Sequence, residues 1–97
     1  MTDRARAARI VERIRSIPEG RVSTYGDIEP SAPRLVGRVL SSTTEKLPWH
    51  RVVRSDGSVA KGDRQLDLLH REGVPISGAR VDLRRARYPP FGWGDEP

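Results

Sequence analysis

Apolar residues recur at helical spacing near the start of the chain, where Ala7, Ile10, Val11, Ile14 and Ile17 fall on one face of a 3.6-residue repeat. Arg6, Arg9, Glu12, Arg13 and Arg15 fill the other faces, so the spacing predicts an amphipathic helix over 3–17. Thr2 or Asp3 suits its N-cap, and Pro18 with Gly20 closes it. Residues 21–28 then read as a short extended piece entering a turn. The breaker cluster Glu29-Pro30-Ser31-Ala32-Pro33 follows. A second helical pattern runs from Pro33 to about Ser42, with Leu35, Val36, Val39 and Leu40 as its buried face. Pro33 suits the first helical position, with Ser31 or Ala32 at the cap. Arg34, Gly37, Arg38 and Ser41 project elsewhere, the two arginines one turn apart on the same side.

Beyond a polar loop at 42–46, Leu47-Pro48-Trp49-His50-Arg51-Val52-Val53 runs into a strand. Arg54 to Val59 reads as a hairpin whose corner is Asp56-Gly57. Lys61-Gly62-Asp63-Arg64 is a loop, and Gln65 to Glu72 a short helix with Leu66 and Leu69 inward and Gly73 as its stop. Val74-Pro75-Ile76 and residues 79–83 either pair as short strands or pad the domain. Arg84, Arg85 and Arg87 form a basic cluster, read as a solvated tail ahead of an extended aromatic stretch, Tyr88 to Trp93, that folds back on the body. The fold class is mainly α with short strands.

Composition narrows this picture. Ninety-seven residues make one domain; its core spans about 4–74, with 75–97 as a C-terminal extension. Hydrophobic content of 35% against 32% charged predicts a thin core of Ile, Val and Leu. Eighteen Lys and Arg, sixteen of them arginine, against thirteen Asp and Glu leave a net charge of +5. Arginine's planar fork of donors suits phosphates and base edges, so the surplus points to a nucleic-acid partner. The absence of cysteine excludes disulfides and thiolate chemistry within these residues, and two histidines with no companion cluster argue against zinc. No cofactor or metal is expected. No apolar run reaches membrane-spanning length and residues 1–20 carry no signal-peptide core, so the expected setting is intracellular: cytoplasmic and nucleoid-associated in a bacterium, nuclear in a eukaryote, as a monomer with no membrane partner.

Four motifs stand in order along the chain: Tyr25-Gly26-Asp27-Ile28, Arg34-Leu35-Val36-Gly37, Pro48-Trp49-His50-Arg51-Val52 and Glu72-Gly73-Val74. Together they resemble the O6-alkylguanine-DNA alkyltransferases over about residues 4–74, with Trp49 where the Pro-Cys-His-Arg signature of that family has its reactive cysteine. An indole has no ionisable thiol and its ring nitrogen only donates, so it cannot accept an alkyl group. The substitution resembles the alkyltransferase-like sister group, which binds alkylated bases without repairing them.

The resemblance implies a winged-helix-like DNA-binding domain of the alkyltransferase C-terminal type, not an enzyme, that binds O6-alkylguanine in duplex DNA by nucleotide flipping. It further implies that the bound lesion is flagged for nucleotide-excision repair proteins. By position, Tyr25 helps rotate the nucleotide, Arg34 enters the gap in the stack, and Ser23, Thr24, Gly37, Arg38 and Ser41 accompany them at the DNA. Trp49, Tyr25, Val53, Lys61 and Gly62 would form the lesion pocket, with Lys61, then Arg64, as the basic contact over the purine. His50, Arg51 and Glu72 would brace the turn. Relatives normally have a full helix after Gly-Asp-Ile; the eight residues between Tyr25 and Arg34 leave room for one turn at most. Relatives also place an asparagine ahead of the signature, for which Ser42 or Thr43 is the only substitute. Taken without the resemblance, Tyr25 reads as a half-buried core aromatic, His50 as a satisfied buried histidine, and the whole as a generic helix-turn-helix regulator. A residual hydrolase using His50 and Glu72 is the third reading.

Overall fold

The amphipathic N-terminal stretch folds as α1 (Asp3–Ser16), its start capped by the Thr2 hydroxyl, which accepts from the Ala5 amide at 3.1 Å. The computed structural model describes residues 2–94, so Met1 and residues 95–97 of the expected domain lie outside it. After α1 come β1 (Ser23–Thr24) and α2 (Tyr25–Ile28), the single turn that the short spacing allows, capped by Thr24. Next are α3 (Pro33–Ser42), a 3-10 turn (Trp49–Arg51) and β2 (Val52–Val53). The chain continues through α4 (Gly62–Arg71), β3 (Ile76–Ser77), β4 (Arg80–Val81) and α5 (Leu83–Ala86).

Two small cores flank the parallel β1–β2 pair, whose register sets Ser23 against Val52 and Thr24 against Val53. Ile10, Ile14, Ile17, Ile28, Leu35, Val36, Val39, Leu47 and Val52 fill the helical side. Val22, Val53, Leu69, Val74, Val81 and Ala86 fill the other. Adjacent Val52 and Val53 point into different cores because strand side chains alternate. The segment after Gly73 supplies part of the second core, so 75–94 is built into the body. Val22 is clasped from that side by hydrogen bonds from its amide to Ala86 O and from the Tyr88 amide to its own carbonyl, at 2.9 and 2.7 Å. Arg87 forks onto Asp27 through two bonds of 2.7 Å.

Several local expectations need correction. Residues 54–59 form a closed turn (Arg54 N to Ser58 O, 2.9 Å) but no hairpin ladder. The reason lies in β4: Gly57 O accepts from the Val81 amide at 2.9 Å, so the turn docks there. Helix α4 begins at Gly62, not Gln65, because the Gln65 carboxamide oxygen accepts from the Lys61 amide (3.1 Å) and turns the expected loop into a first helical turn. Gln65, 1% exposed, takes the inward place expected of Leu66, which is half-buried. Ser31 does not cap α3; its hydroxyl donates to Glu29 at 2.6 Å. Glu29 itself, in the expected breaker cluster, is buried and gripped by Arg9 at 3.0 and 2.5 Å. Burial pushes its carboxyl up, but Ser31 and the Arg9 guanidinium outweigh this and hold it below the usual carboxylate range. Residues 76–77 and 80–81 do pair, antiparallel. Trp93 folds back beneath Arg13, whose guanidinium stands 5.5 Å from the indole centroid, while Phe91 stays 95% exposed.

Candidate nucleic-acid interface

Pro48 cannot donate and disfavours a helical residue before it, so the chain turns tightly at the signature. The 3-10 turn is closed by the Arg51 amide on Pro48 O at 3.0 Å. Helix α4 holds this turn from two positions. Gln65 Nε2 donates to His50 O (3.0 Å) and Val52 O (2.9 Å). About two turns later, Glu72 accepts a fork from Arg51, Nε at 2.9 Å and Nη2 at 2.7 Å, and contacts His50 Nε2 at 2.8 Å. Arg51 Nη1 also reaches Ile17 O at 3.0 Å, tying the end of α1 to the same knot. The Arg51 fork, opposed by burial and helped by His50, drives the Glu72 pKa down from 4.5 to about 2. An ionised carboxylate only accepts, so His50 Nε2 carries the hydrogen in that contact.

Beside this braced turn lies a cleft of about 300 Å³ lined by Tyr25, Gly37, Leu40, Ser41, Trp49, Ala60, Lys61 and Gln65. That is near the lower end of the roughly 300–1,000 Å³ occupied by small-molecule sites. Gly37 leaves its wall open: a methyl group there would meet nothing within 4 Å. Arg64 stands over the indole of Trp49, 5.4 Å from the ring centroid. Burial pushes the Tyr25 phenol up, with the positive charge of Arg54 opposing. Arg34 and Arg38 are exposed on α3 and make no ion pair among the described residues. Arg34 precedes Gly37 by three residues, which sets it on the helix face that carries the cleft wall.

The structure therefore brings together Tyr25, Gly37, Ser41, Trp49 and Lys61, with Arg34 and Arg38 alongside. It does not bring in four others. Ser23 is fully buried and its hydroxyl donates to Tyr88 O. Thr24 is 6% exposed and its hydroxyl is taken up in capping α2, accepting from the Asp27 amide at 3.0 Å. Val53 is wholly inside the second core. Gly62 opens α4 without lining the cleft. Ser42 and Thr43 do not steady the turn either: the Ser42 hydroxyl donates to Arg38 O (2.7 Å), and Thr43 Oγ1 accepts from the Glu45 amide (3.1 Å). Gln65 does that work. Its two-carbonyl grip was hidden in the sequence by its place in an ordinary amphipathic helix. His50, Arg51 and Glu72 form the expected brace. Arg64, the second choice for the basic contact, is the one stacked on the indole.

Residues 5–74 match the family model of the 6-O-methylguanine DNA methyltransferase DNA-binding domain. The chain is 41% identical over 92 residues to a DNA base-flipping protein of Escherichia coli, covering 82% of this chain and 71% of that protein. It is 34% identical over 98 residues to alkyltransferase-like protein 1 of Schizosaccharomyces pombe, covering 88% and 91% respectively. The crystal structure of the S. pombe protein with damaged DNA containing O6-carboxymethylguanine superposes with a TM-score of 0.79 at 31% identity, covering 93% of this chain and all of that one. The motif order, the braced turn beside an open cleft and these likenesses agree: the chain belongs to the family of 6-O-methylguanine DNA methyltransferase DNA-binding domains.

Proposed function

We propose that this protein binds O6-alkylguanine in duplex DNA by rotating the damaged nucleotide into the cleft beside Trp49, and holds it there without alkyl transfer. The observation that carries this is the cleft itself: an open cavity walled by Tyr25, Gly37, Trp49 and Lys61, next to a helix face bearing Arg34, which has no ion-pair partner among the described residues. Extruding a base costs a few kcal/mol, and less when alkylation has already weakened its pairing. Stacking on the indole returns roughly 1–3 kcal/mol. Arg34 fills the vacated stack, Tyr25 bears on the rotating backbone, Arg38 meets a phosphate, and Lys61 and Arg64 place positive charge near the purine. The indole stands where a thiolate would attack, and the 97 residues hold no cysteine, so the bound lesion stays intact. A persistent complex of this kind suits a flag for nucleotide-excision repair proteins.

Equilibrium binding to duplexes with and without a single O6-methylguanine tests this. The lesion-bearing duplex binds at least tenfold tighter; equal affinities would sink lesion recognition. A sharp consensus selected from random undamaged duplexes would point instead to a sequence-reading regulator. With methyl-labelled duplex the label stays on DNA, and its appearance on protein or in solvent would overturn the non-enzymatic reading.

A further inference from the structure

A second cleft, of about 330 Å³, lies on the other side of α2 and is lined by Thr24, Asp27, Ser55, Leu83, Arg84 and Arg87. Three separate segments build it: β1 with α2, the turn after β2, and α5. Arg84 and Arg87 lie beyond the family-model match at 5–74. Asp27 is the one carboxylate in the lining, and Arg87 neutralises it through its two-bond fork. The guanidinium of Arg84 has no carboxylate partner among the described residues, and only its backbone amide is engaged, by Asp82 at 3.2 Å. Arg54 adjoins Ser55 in sequence, and its charge acts on the Tyr25 phenol in the first cleft. Its guanidinium donates to Ser58 Oγ (3.5 Å) and Val59 O (3.3 Å) and has no carboxylate partner among the described residues. The cleft thus keeps one guanidinium, that of Arg84, that no described carboxylate offsets, with the Ser55 hydroxyl in the same lining.

We propose that this second cleft holds a backbone phosphate of the strand that carries the flipped nucleotide, with Arg84 as its cation and Ser55 as a hydroxyl donor. A net positive, partly enclosed site with donors from several segments suits a phosphodiester oxygen. Its position next to Tyr25 puts it on the strand whose rotation Tyr25 eases. The contact carries no sequence or lesion information, so it adds to the binding of damaged and clean duplex alike. The proposal rests on duplex DNA lying across Tyr25, though not on the lesion being read.

The test is the salt dependence of binding for Arg84→Ala, Arg84→Lys and Arg71→Ala in the full chain, each on clean and on O6-methylguanine duplex. Arg84→Ala is expected to weaken both duplexes by the same factor and to lower the slope of log affinity against log salt by about 0.9, one phosphate's worth. Arg84→Lys restores the slope. Arg71→Ala removes an equal charge from the last turn of α4 and leaves the slope unchanged. An unaltered slope for Arg84→Ala, or an equal fall for Arg71→Ala, would overturn the site. Loss confined to the lesion duplex would also overturn it, since that result assigns Arg84 to lesion reading. Equal affinity of the unaltered protein for both duplexes would sink the function proposed above while leaving the slope test on clean duplex intact. Inorganic phosphate up to millimolar concentration, which shifts neither affinity nor spectrum, separates a backbone site from one for the free anion; saturable protection of the Arg84-dependent term by phosphate would show the latter.

Discussion

An arginine in the first turn of a helix opposes the helix dipole, and α3 has no acidic residue there to offset Arg34. Folding alone does not favour that placement, whereas insertion into a base stack does. Arg34→Ala is therefore expected to leave thermal stability unchanged or raise it by a few tenths of a kcal/mol, while weakening binding of an O6-methylguanine duplex by about 1–3 kcal/mol. Parallel melting and titration check this; unchanged affinity would show that the arginine's role is misplaced. Gly37 makes a similar trade. It sits mid-helix without a positive φ, and a methyl group there meets only open space, so the backbone has no need of glycine. Gly37→Ala should stabilise α3 by about 0.5–1 kcal/mol yet narrow the cleft and weaken lesion binding. Gly57 is the contrast. Its φ is +85°, and an added Cβ would stand 2.4 Å from Val81 O, so Gly57→Ala should lower the melting temperature by steric conflict with β4.

At the scale of elements, α4 decides where the Trp49 turn stands. The sequence spelled out α1 and α3 because one apolar face at a 3.6-residue period requires no knowledge of the partner. It did not spell out the start of α4, because Gln65 turns inward only to satisfy His50 O, Val52 O and the Lys61 amide, groups known once the chain is folded. The cleft beside Trp49 was legible through Tyr25, Gly37 and Trp49, which stand in motifs, and through Lys61, which the resemblance placed by position. Ser23, Thr24 and Val53 lie away from the cleft because both faces of the β1–β2 pair are covered by the two cores, which no local pattern announces. Glu72, also in a motif, makes the α4 grip testable by pH. Its carboxyl ordinarily titrates at 4.5 and is held at about 2 in the fold. A depressed acid stabilises above the ordinary value, and that stability drains as pH falls from about 5 towards 2. At roughly 1.4 kcal/mol per pH unit the effect is at most about 3.5 kcal/mol. Glu72→Gln should be less stable than the unaltered protein at pH 7, with the gap closing as pH approaches 2. A gap constant over that window would contradict the ion-pair account.

For the whole molecule, the two cores matter more than the extent of the family motifs. The matched span ends at Val74, yet Val81 and Ala86 complete the second core, and the 86–88 backbone covers the free side of Val22. These contacts were not legible because they link distant positions, such as Asp27 with Arg87, through no local pattern. A chain cut after Val74 would lose a buried valine, worth roughly 1.5–3 kcal/mol, and the two hydrogen bonds to Val22, about 1 kcal/mol each. The half-exposed Asp27–Arg87 pair adds little more. Against a total stability of about 5–15 kcal/mol for a small domain, such losses are a large fraction. Cutting also strips the partner from Ser23, leaving a buried hydroxyl and one side of β1 unsatisfied in the centre of the body. The expected outcome is that residues 1–74 melt without a cooperative transition at a temperature where the full chain is folded, and bind no duplex. Circular dichroism melting of both chains is the measurement. A sharp transition near that of the full chain would mean that the helical core, from α1 to β2, stands by itself and that the later elements merely rest against it.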